Sequence, residues 1–297
     1  MKYLVLGFAT NQSSSSFRIF INSLRQVYSP EQCDLVLIVD RIPDDLDAED
    51  KAGVSFFFTP SAYPHRLKAE RKAKNMLIRI GSAVAHAHVP LVSSLAARML
   101  RPMIEGWHHP HFARWVAYER FLKANPHYER ILLTDVRDVL FQGRFFDGGD
   151  DIVELYEQDE YYGADSCDNG WYRDAWGDAA LERAAGSPAV CIGTILGSYV
   201  QTTQLIRDFI DFYSRYPFRG VEQAIFNRLL IDGQPKFTYR INRNVDGAVA
   251  TLANQKAFAF VSVSDKITRK TDGSTIPIVH MYDRFDNTAL LAQNYMT

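Results

Sequence analysis

Unbroken apolar runs on either side of a helical pattern open the chain and limit what it can fold into. The runs Tyr3–Phe8 and Leu35–Val39 flank a segment, Phe17–Val27, in which apolar residues recur at helical spacing. Apolar runs without alternation are typical of strands that are covered on both faces. A third run, Val54–Phe58, extends the pattern. The order strand, helix, strand predicts an α/β fold with a mixed, mainly parallel sheet flanked by helices.

The remainder of the chain continues this alternation. Neither an internal repeat nor a Gly/Ser-rich linker interrupts it, so we expect residues 1–297 to form a single domain. Apolar spacing and breaker residues predict helices over 110–125, 199–216 and 221–231, and strands near 131–135, 190–196, 258–263 and 276–279.

Composition and charge exclude several classes of protein. With 47% hydrophobic residues, 23% charged residues and a net charge of -2, the chain is typical of a globular protein and unlike a nucleic-acid binder. We find neither a signal-peptide pattern nor the run of about 18 apolar residues that spans a bilayer. Three cysteines without a C-x-x-C, Cys33, Cys167 and Cys191, predict reduced thiols in a cytoplasmic protein.

A basic stretch, Arg66–Ile80, leaves peripheral contact with a membrane open. Most such stretches are solvated helix faces, and Glu70 can pair with Lys74 one helical turn later. The alternative is a surface that meets a membrane or an anionic acceptor.

Polar residues that directly follow the predicted strands mark a candidate site. In open α/β sheets, ligands bind beyond the carboxyl ends of the strands. The residues found there are Thr10, Asn11, Asp40, Asp135 and His280. We therefore expect one edge of the sheet to combine carboxylates and an imidazole from distant parts of the chain.

A divalent cation would suit Asp135 and Asp138 together with His280. Mg²⁺ and Mn²⁺ prefer oxygen ligands, and Mn²⁺ also accepts an imidazole. The alternative is purely structural, with Asp138 paired to Arg137 or Arg130 and Asp135 capping a turn. Spacing alone does not decide between these interpretations, because acidic pairs are common.

Residues 110–147, with the strand that ends in Asp135-Val136-Arg137-Asp138, resemble the central part of nucleotide-sugar glycosyltransferases of the GT-A fold. In that family a strand ends in Asp-x-Asp, which binds a divalent metal, the ribose and the sugar diphosphate. Three later segments also resemble parts of this family. Residues 191–197 resemble the strand that lines the sugar site, and residues 221–227 resemble the helix start with an acidic residue and Gln near the acceptor. Residues 278–280 resemble the late strand whose His completes the metal shell.

The resemblance implies a GT-A-like fold and transfer of a hexosyl or related group from a UDP- or GDP-sugar to a saccharide or growing glycan. Residues 1–140 would mainly bind the nucleotide, and residues 141–297 would mainly bind the acceptor and complete the metal shell. The cofactor would be Mn²⁺ or Mg²⁺, held by Asp135, Asp138 and His280. The implied nucleotide-binding residues are Thr10, Asn11, Asp40, Arg114, Asp135 and Arg137.

One departure from the family's pattern affects the ligand assignment. The carboxylates are spaced one residue further apart than in Asp-x-Asp. Either Asp135 and Asp138 both reach the metal, or Asp138 alone does while Asp135 takes the ribose. A further alternative is that Arg137 supplies positive charge to the diphosphate and partly replaces a metal.

Glu222 is the first candidate for a general base that activates the acceptor hydroxyl, and Asp168 is the second. The alternative for Glu222 is a structural role, in which its negative charge at the start of a helix is stabilised by the helix dipole. Further cations that could stabilise the leaving diphosphate are Arg114, Arg137, and Lys266 or Arg269.

Other patterns favour structural roles. The histidines at 108, 109 and 111 are interpreted as a loop that leads into a helix. An aromatic group could form a sugar platform, but packing on the sheet is favoured. It comprises Tyr161, Tyr162, Trp171, Tyr172 and Trp176.

Two rival functions keep the same fold. A sugar nucleotidyltransferase also needs a metal on a diphosphate, but its first loop is normally rich in Gly and basic residues, whereas Ala9–Ser13 contains neither Gly nor Lys. A non-catalytic sugar- or nucleotide-binding module is the other, and the unusual carboxylate spacing is its best support.

Overall fold

Strands and helices alternate along most of the chain. The structure, a computed structural model, describes residues 2–60, 68–85, 90–164, 167–216, 221–252, 260–263 and 266–296. The strands are β1 (Tyr3–Phe8), β2 (Cys33–Val39), β3 (Val54–Phe58), β4 (Arg130–Asp135), β5 (Val139–Phe141), β6 (Val153–Tyr161), β7 (Pro188–Ser198), β8 (Tyr239–Asn242), β9 (Val249–Thr251), β10 (Phe260–Val263), β11 (Lys266–Arg269) and β12 (Ile278–His280). The α-helices are α1 (Ser14–Val27), α2 (Lys68–Ala85), α3 (Pro90–Trp107), α4 (Pro110–Ala124), α5 (Cys167–Trp176), α6 (Asp178–Ala184), α7 (Tyr199–Arg215), α8 (Glu222–Ile231) and α9 (Asp286–Ala292).

A seven-stranded sheet in the order β3-β2-β1-β4-β7-β6-β8 forms the centre of the fold. Strands β3, β2, β1 and β4 are mutually parallel, β7 runs antiparallel between β4 and β6, and β8 is parallel to β6. Six of the seven strands therefore share one direction. The predicted α/β architecture with a mainly parallel sheet is confirmed.

Apolar side chains cover both faces of this sheet, as the unbroken runs predicted. Along β1, Leu4 and Leu6 pack on the face that carries α4 and α7, whereas Val5 packs on the face that carries α1. The interior on the first side includes Trp115 and Phe209, both almost fully buried. Because both faces of the sheet are covered by apolar side chains, polar groups are placed at the ends of the strands.

A small second sheet brings the late part of the chain to the end of β4. Strand β12 lies between β5 and β9, and His280 pairs with Val139 on one side and Thr251 on the other. In the main sheet, Phe8 at the end of β1 pairs with Asp135 at the end of β4. This register places the ends of β1, β4 and β12 close together.

Two long helices, α2 and α3, precede α4. Helix α2 includes most of the basic stretch, and the predicted Glu70–Lys74 ion pair forms at 2.5 Å. Sequence analysis did not predict α3, which contains Pro102 in its interior. Within the described residues, none of the helices has the length and apolarity needed to cross a membrane.

Two further elements differ from the sequence interpretation. Strand β6 was not predicted because it contains acidic residues, of which Glu154 is paired with Arg130 at 3.0 Å and Glu157 is buried. The segment that includes Trp171 was interpreted as a loop but forms α5. Packing of the aromatic side chains stabilises this helix, and Tyr172 is fully buried.

Candidate metal and nucleotide site

Three potential metal ligands converge at the end of β4. Asp135 is the last residue of β4, Asp138 follows after a short turn, and His280 ends β12. The Nε2 atom of His280 lies 4.0 Å from Asp135 Oδ2 and 3.7 Å from Asp138 Oδ1. One ligand atom from each residue falls within 4.8 Å of the other two. The predicted convergence of these three residues is confirmed, and the group can bind a metal ion.

Burial makes this cluster electrostatically unusual. His280 is fully buried and Asp138 is 6% exposed, whereas Asp135 is partly exposed. Burial raises the pKa of Asp138. Burial alone would lower the pKa of His280, but Cys191 and the carboxylates of Asp138 and Asp135 outweigh it and raise this pKa to about 9. Without a metal, an imidazolium partly balances the two carboxylates. A divalent cation would bring more positive charge and would bind the neutral imidazole, with release of its Nε2 proton.

The imidazole of His280 is oriented by its Nδ1 atom. Nδ1 lies 3.6 Å from the Cys191 sulfur and 3.5 Å from Thr251 Oγ1. Nε2, in contrast, is buried without a hydrogen-bond partner among the described residues. Ligating histidines in proteins commonly use one ring nitrogen for the metal and the other for an orienting contact.

Space beside His280 is kept open by Gly193 on β7. A Cβ atom at position 193 would lie 2.5 Å from His280 Nε2 and 2.9 Å from Asp135 Oδ2. Side chains larger than hydrogen would therefore clash with two of the three ligand atoms. The unpartnered nitrogen, the missing Cβ and the oxygen and nitrogen donors together fit a metal ion.

A cleft of about 550 Å³ lies over this cluster. Six of the predicted nucleotide- and metal-binding residues line it: Thr10, Asn11, Arg114, Asp135, Arg137 and Asp138. The predicted residue Asp40 does not line the cleft but contacts a residue that does. Its Oδ1 accepts a hydrogen bond of 3.0 Å from the backbone N–H of Asn11. Asn11 adopts a positive φ of 55°, and this contact stabilises that turn of the loop.

Two arginines bring positive charge to the same cleft. Arg137 reaches Asp283 at 3.3 Å, and Arg284 lies 3.9 Å from Asp138 Oδ2. Both side chains are exposed, at 59% and 41%, so their guanidinium groups remain accessible to an anionic ligand. Sequence analysis missed Arg284, although it lies only four residues after His280.

Arg114 on α4 connects Asp135 with Glu222 beneath the cleft. Its Nη1 donates to Asp135 at 2.5 Å, while Nε and Nη2 donate to the two Glu222 oxygens at 3.0 and 3.1 Å. Trp115 Nε1 also donates to Glu222. Burial raises the pKa of Glu222 to about 7, although Arg114 and Trp115 favour its charged form. Glu222 is thus held at the start of α8 by an ion pair as well as by its position at a helix terminus.

Asp168, the second predicted base, lies in a separate buried group. Gln223 Nε2 donates to its Oδ1 at 2.9 Å, and Gln158 Nε2 donates to its Oδ2. Burial raises the pKa of Asp168 to about 6. Among the described residues, neither Asp168 nor Glu222 belongs to the lining of the cleft. The acidic-Gln start of α8 therefore supplies one candidate base, Glu222, and contacts the other, Asp168, through Gln223.

Two other predicted cations lie elsewhere. Lys266 is exposed at the start of β11. Arg269 donates to the backbone oxygens of Val245 and Gly247, so it fixes a loop.

The histidine-rich segment forms the predicted loop before a helix, and two of its histidines, His109 and His111, line the cleft. His108 is buried against Tyr213, and burial lowers its pKa to about 3. His109 caps α4. His111 lines the cleft, which the structural interpretation of this segment did not predict.

The aromatic group divides between the interior and the surface. Tyr162 and Tyr172 are buried with ring centroids 4.7 Å apart, as the packing interpretation favours. Tyr161 and Trp171 are 43% and 38% exposed. Among the cysteines, Cys33 and Cys191 are free and buried, while the side chain of Cys167 lies outside the described part of the chain.

Comparison with known proteins does not add a family assignment. The chain matches no protein-family model, and no curated protein shows significant similarity to it.

Proposed function

We propose that this chain is a metal-assisted glycosyltransferase that moves a sugar from a UDP- or GDP-sugar to a saccharide or glycan acceptor. One observation carries the proposal: Asp135 and Asp138 line a cleft whose other walls include exposed arginines, and the buried His280 lies close enough to both to complete a metal site. A cation-binding cluster beside exposed guanidinium groups suits a ligand with several phosphate oxygens.

Charge stabilisation at the leaving group is the main chemical task of such a site. A divalent cation held by Asp135, Asp138 and His280 would act as a Lewis acid on the leaving nucleoside diphosphate. Arg137 and Arg284 add positive charge from the chain itself at the same cleft. Preorganised charge of this kind lowers the barrier because it acts on charge that develops in the transition state.

Glu222 remains our first candidate for the base that accepts the proton of the acceptor hydroxyl, on the condition that acceptor binding exposes its carboxylate, which is 3% exposed and outside the cleft lining in this structure. Its pKa of about 7 is near the range in which a general base works best at neutral pH. Arg114 bonds both the Glu222 carboxylate and Asp135, so the geometry of Glu222 is coupled to a candidate metal ligand through this guanidinium. Asp168, with a pKa of about 6, is the second candidate.

The test is transfer from a panel of nucleotide sugars with Mn²⁺ or Mg²⁺. We expect Asp135→Asn to abolish transfer and to leave the fold intact by circular dichroism. Asp178→Asn is the matched control, because Asp178 is exposed on α6 and far along the chain from the cleft residues. Unchanged turnover in Asp135→Asn would contradict the proposal, and release of pyrophosphate from a nucleoside triphosphate would favour the nucleotidyltransferase.

A further inference from the structure

Exposed apolar side chains concentrate on the helical hairpin formed by α2 and α3. Of the ten large apolar side chains that are exposed among the described residues, five lie on this hairpin. They are Met76, Leu77, Ile80, Leu95 and Met99, which are 48–63% exposed and which we call the hairpin surface. Exposed apolar groups on this scale are typical of interaction sites when they lie next to one another.

The geometry of the hairpin makes this surface continuous. Met76 and Ile80 are one turn apart on α2, and Leu95 and Met99 are one turn apart on α3. The helices pack against each other, since a Cβ atom at Gly81 would lie 3.4 Å from Leu100. Gly81 faces Leu100 and Lys74 lies over the Trp107 ring, so the helices run antiparallel. Ile80 therefore lies at about the level of Met99, with Met76 and Leu95 one turn away in opposite directions.

The hairpin already uses other residues for its contact with the domain. Ile78 on α2 and Leu100 and Ile104 on α3 are at most 2% exposed and belong to the main core. Ser82 on the same side of α2 donates to the backbone oxygen of Ser214 on α7. The hairpin surface is therefore a second apolar face, additional to the one that anchors the helices.

Positive charge accompanies the hairpin surface. Residues 66–101 contain eight Lys and Arg but only one acidic residue, Glu70, in a chain whose net charge is -2. Lys72, Arg79 and Arg98 are exposed, while Glu70 is paired with Lys74. Apolar side chains surrounded by cations suit a membrane interface with anionic lipids. Burial of the apolar side chains and attraction between the cations and the headgroups both favour binding there.

We propose that the hairpin surface docks on a membrane that carries anionic lipid headgroups. A second copy of the chain fits less well, because a two-fold contact would bring the same surface of each copy together. Lys72, Arg79 and Arg98 of the two copies would then approach one another. The membrane supplies the negative charge and the apolar layer together, and docking does not depend on the proposed transferase activity.

Flotation of the full chain with lipid vesicles tests this proposal. We expect binding to vesicles that contain phosphatidylglycerol, weak binding to pure phosphatidylcholine, and loss of binding at high salt. Lys72→Gln with Arg98→Gln should weaken binding about 30-fold, since each cation near an anionic surface contributes about fivefold. Leu95→Ser with Met99→Ser should weaken it at least about tenfold.

Matched controls separate this surface from general effects. Val200→Ser with Leu290→Ser removes equally exposed apolar side chains elsewhere, and Lys123→Gln removes an exposed cation of α4. These variants should bind as the wild type does. All the substituted side chains are exposed, so thermal unfolding should be unchanged.

Three results would overturn the proposal. One is the absence of binding to anionic vesicles by the folded wild type, and another is vesicle binding that both hairpin variants retain. The third is a concentration-dependent dimer in light scattering that Leu95→Ser with Met99→Ser abolishes while vesicle binding persists, which would assign the surface to a second copy.

Discussion

Arg114 donates two hydrogen bonds to Glu222, 3.0 Å from Nε and 3.1 Å from Nη2, although the two residues are only 5% and 3% exposed. The same guanidinium reaches Asp135 at 2.5 Å. A buried cation thereby connects a candidate metal ligand, Asp135, to a candidate base, Glu222, that lies far from it in sequence. Buried ion pairs of this kind are costly to break because the remaining partner is left without compensation.

Glu222→Leu should therefore destabilise the protein by about 3–5 kcal/mol, because among the described residues Asp135 is then the one acidic partner left to the buried Arg114. Arg114→Met with Glu222→Leu should cost less than the sum of the two single changes. Urea unfolding of the three variants measures the coupling. Additive losses would show that the two side chains do not act as a pair.

Gly193→Ala should impair both the fold and metal binding. The added methyl would overlap His280 Nε2 and Asp135 Oδ2, at 2.5 and 2.9 Å, so the strand or the ligands must shift. We expect a loss of about 1–3 kcal/mol in the free energy of unfolding and no saturable Mn²⁺ binding by calorimetry.

Gly106→Ala is the matched control for this substitution. A Cβ atom there would meet no atom within 4 Å, and the residue lies inside α3. We expect unchanged Mn²⁺ binding and a gain of up to about 1 kcal/mol from helix propensity. Equal Mn²⁺ affinity in Gly193→Ala and the wild type would show that position 193 does not shape a metal site.

Asp168 should make stability depend on pH. Burial raises its folded-state pKa to about 6, so between about pH 4 and 6 the folded chain holds a proton that the unfolded chain has released. The stabilisation is present at low pH and is lost as pH rises through this range. Asp168→Asn should remove this loss, so its stability relative to the wild type should rise by up to about 3 kcal/mol between pH 4 and 7.

Chemical unfolding at several pH values checks this expectation. Asp178→Asn serves as the control for loss of a carboxylate, because this side chain is 78% exposed and lies outside the buried group around Asp168. A constant difference between Asp168→Asn and the wild type would contradict a raised pKa at that position.

Local patterns were sufficient to predict the strands that carry the site. The apolar runs that end at Phe8 and Asp135 are unbroken, and burial on both faces leaves their ends as the place for polar groups. Strand β6 could not be read in the same way, because Glu154 in it is balanced by Arg130 from another strand. Pairing between distant residues is invisible in a single sequence.

The site was predictable in part for the same reason. Asp135 and Asp138 stand out because they come at the end of a strand. The sequence around Gly193 does not show that a side chain at this position would clash with other residues. Its role depends on His280, which reaches it through the pairing of β12 with β5 and β9. Arg284 and His111 enter the cleft through tertiary structure as well, so sequence spacing gave no signal for them.

The most direct test of the central claim is calorimetric titration of the protein with UDP and GDP, with and without Mn²⁺. We predict that at least one of the two nucleotides binds tightly only when Mn²⁺ is present. Asp138→Asn should lose the Mn²⁺-dependent part of the affinity while unfolding cooperatively. Nucleotide binding that is equally tight without a divalent cation, or that Asp138→Asn retains in full with Mn²⁺, would contradict a metal-assisted diphosphate site at Asp135, Asp138 and His280.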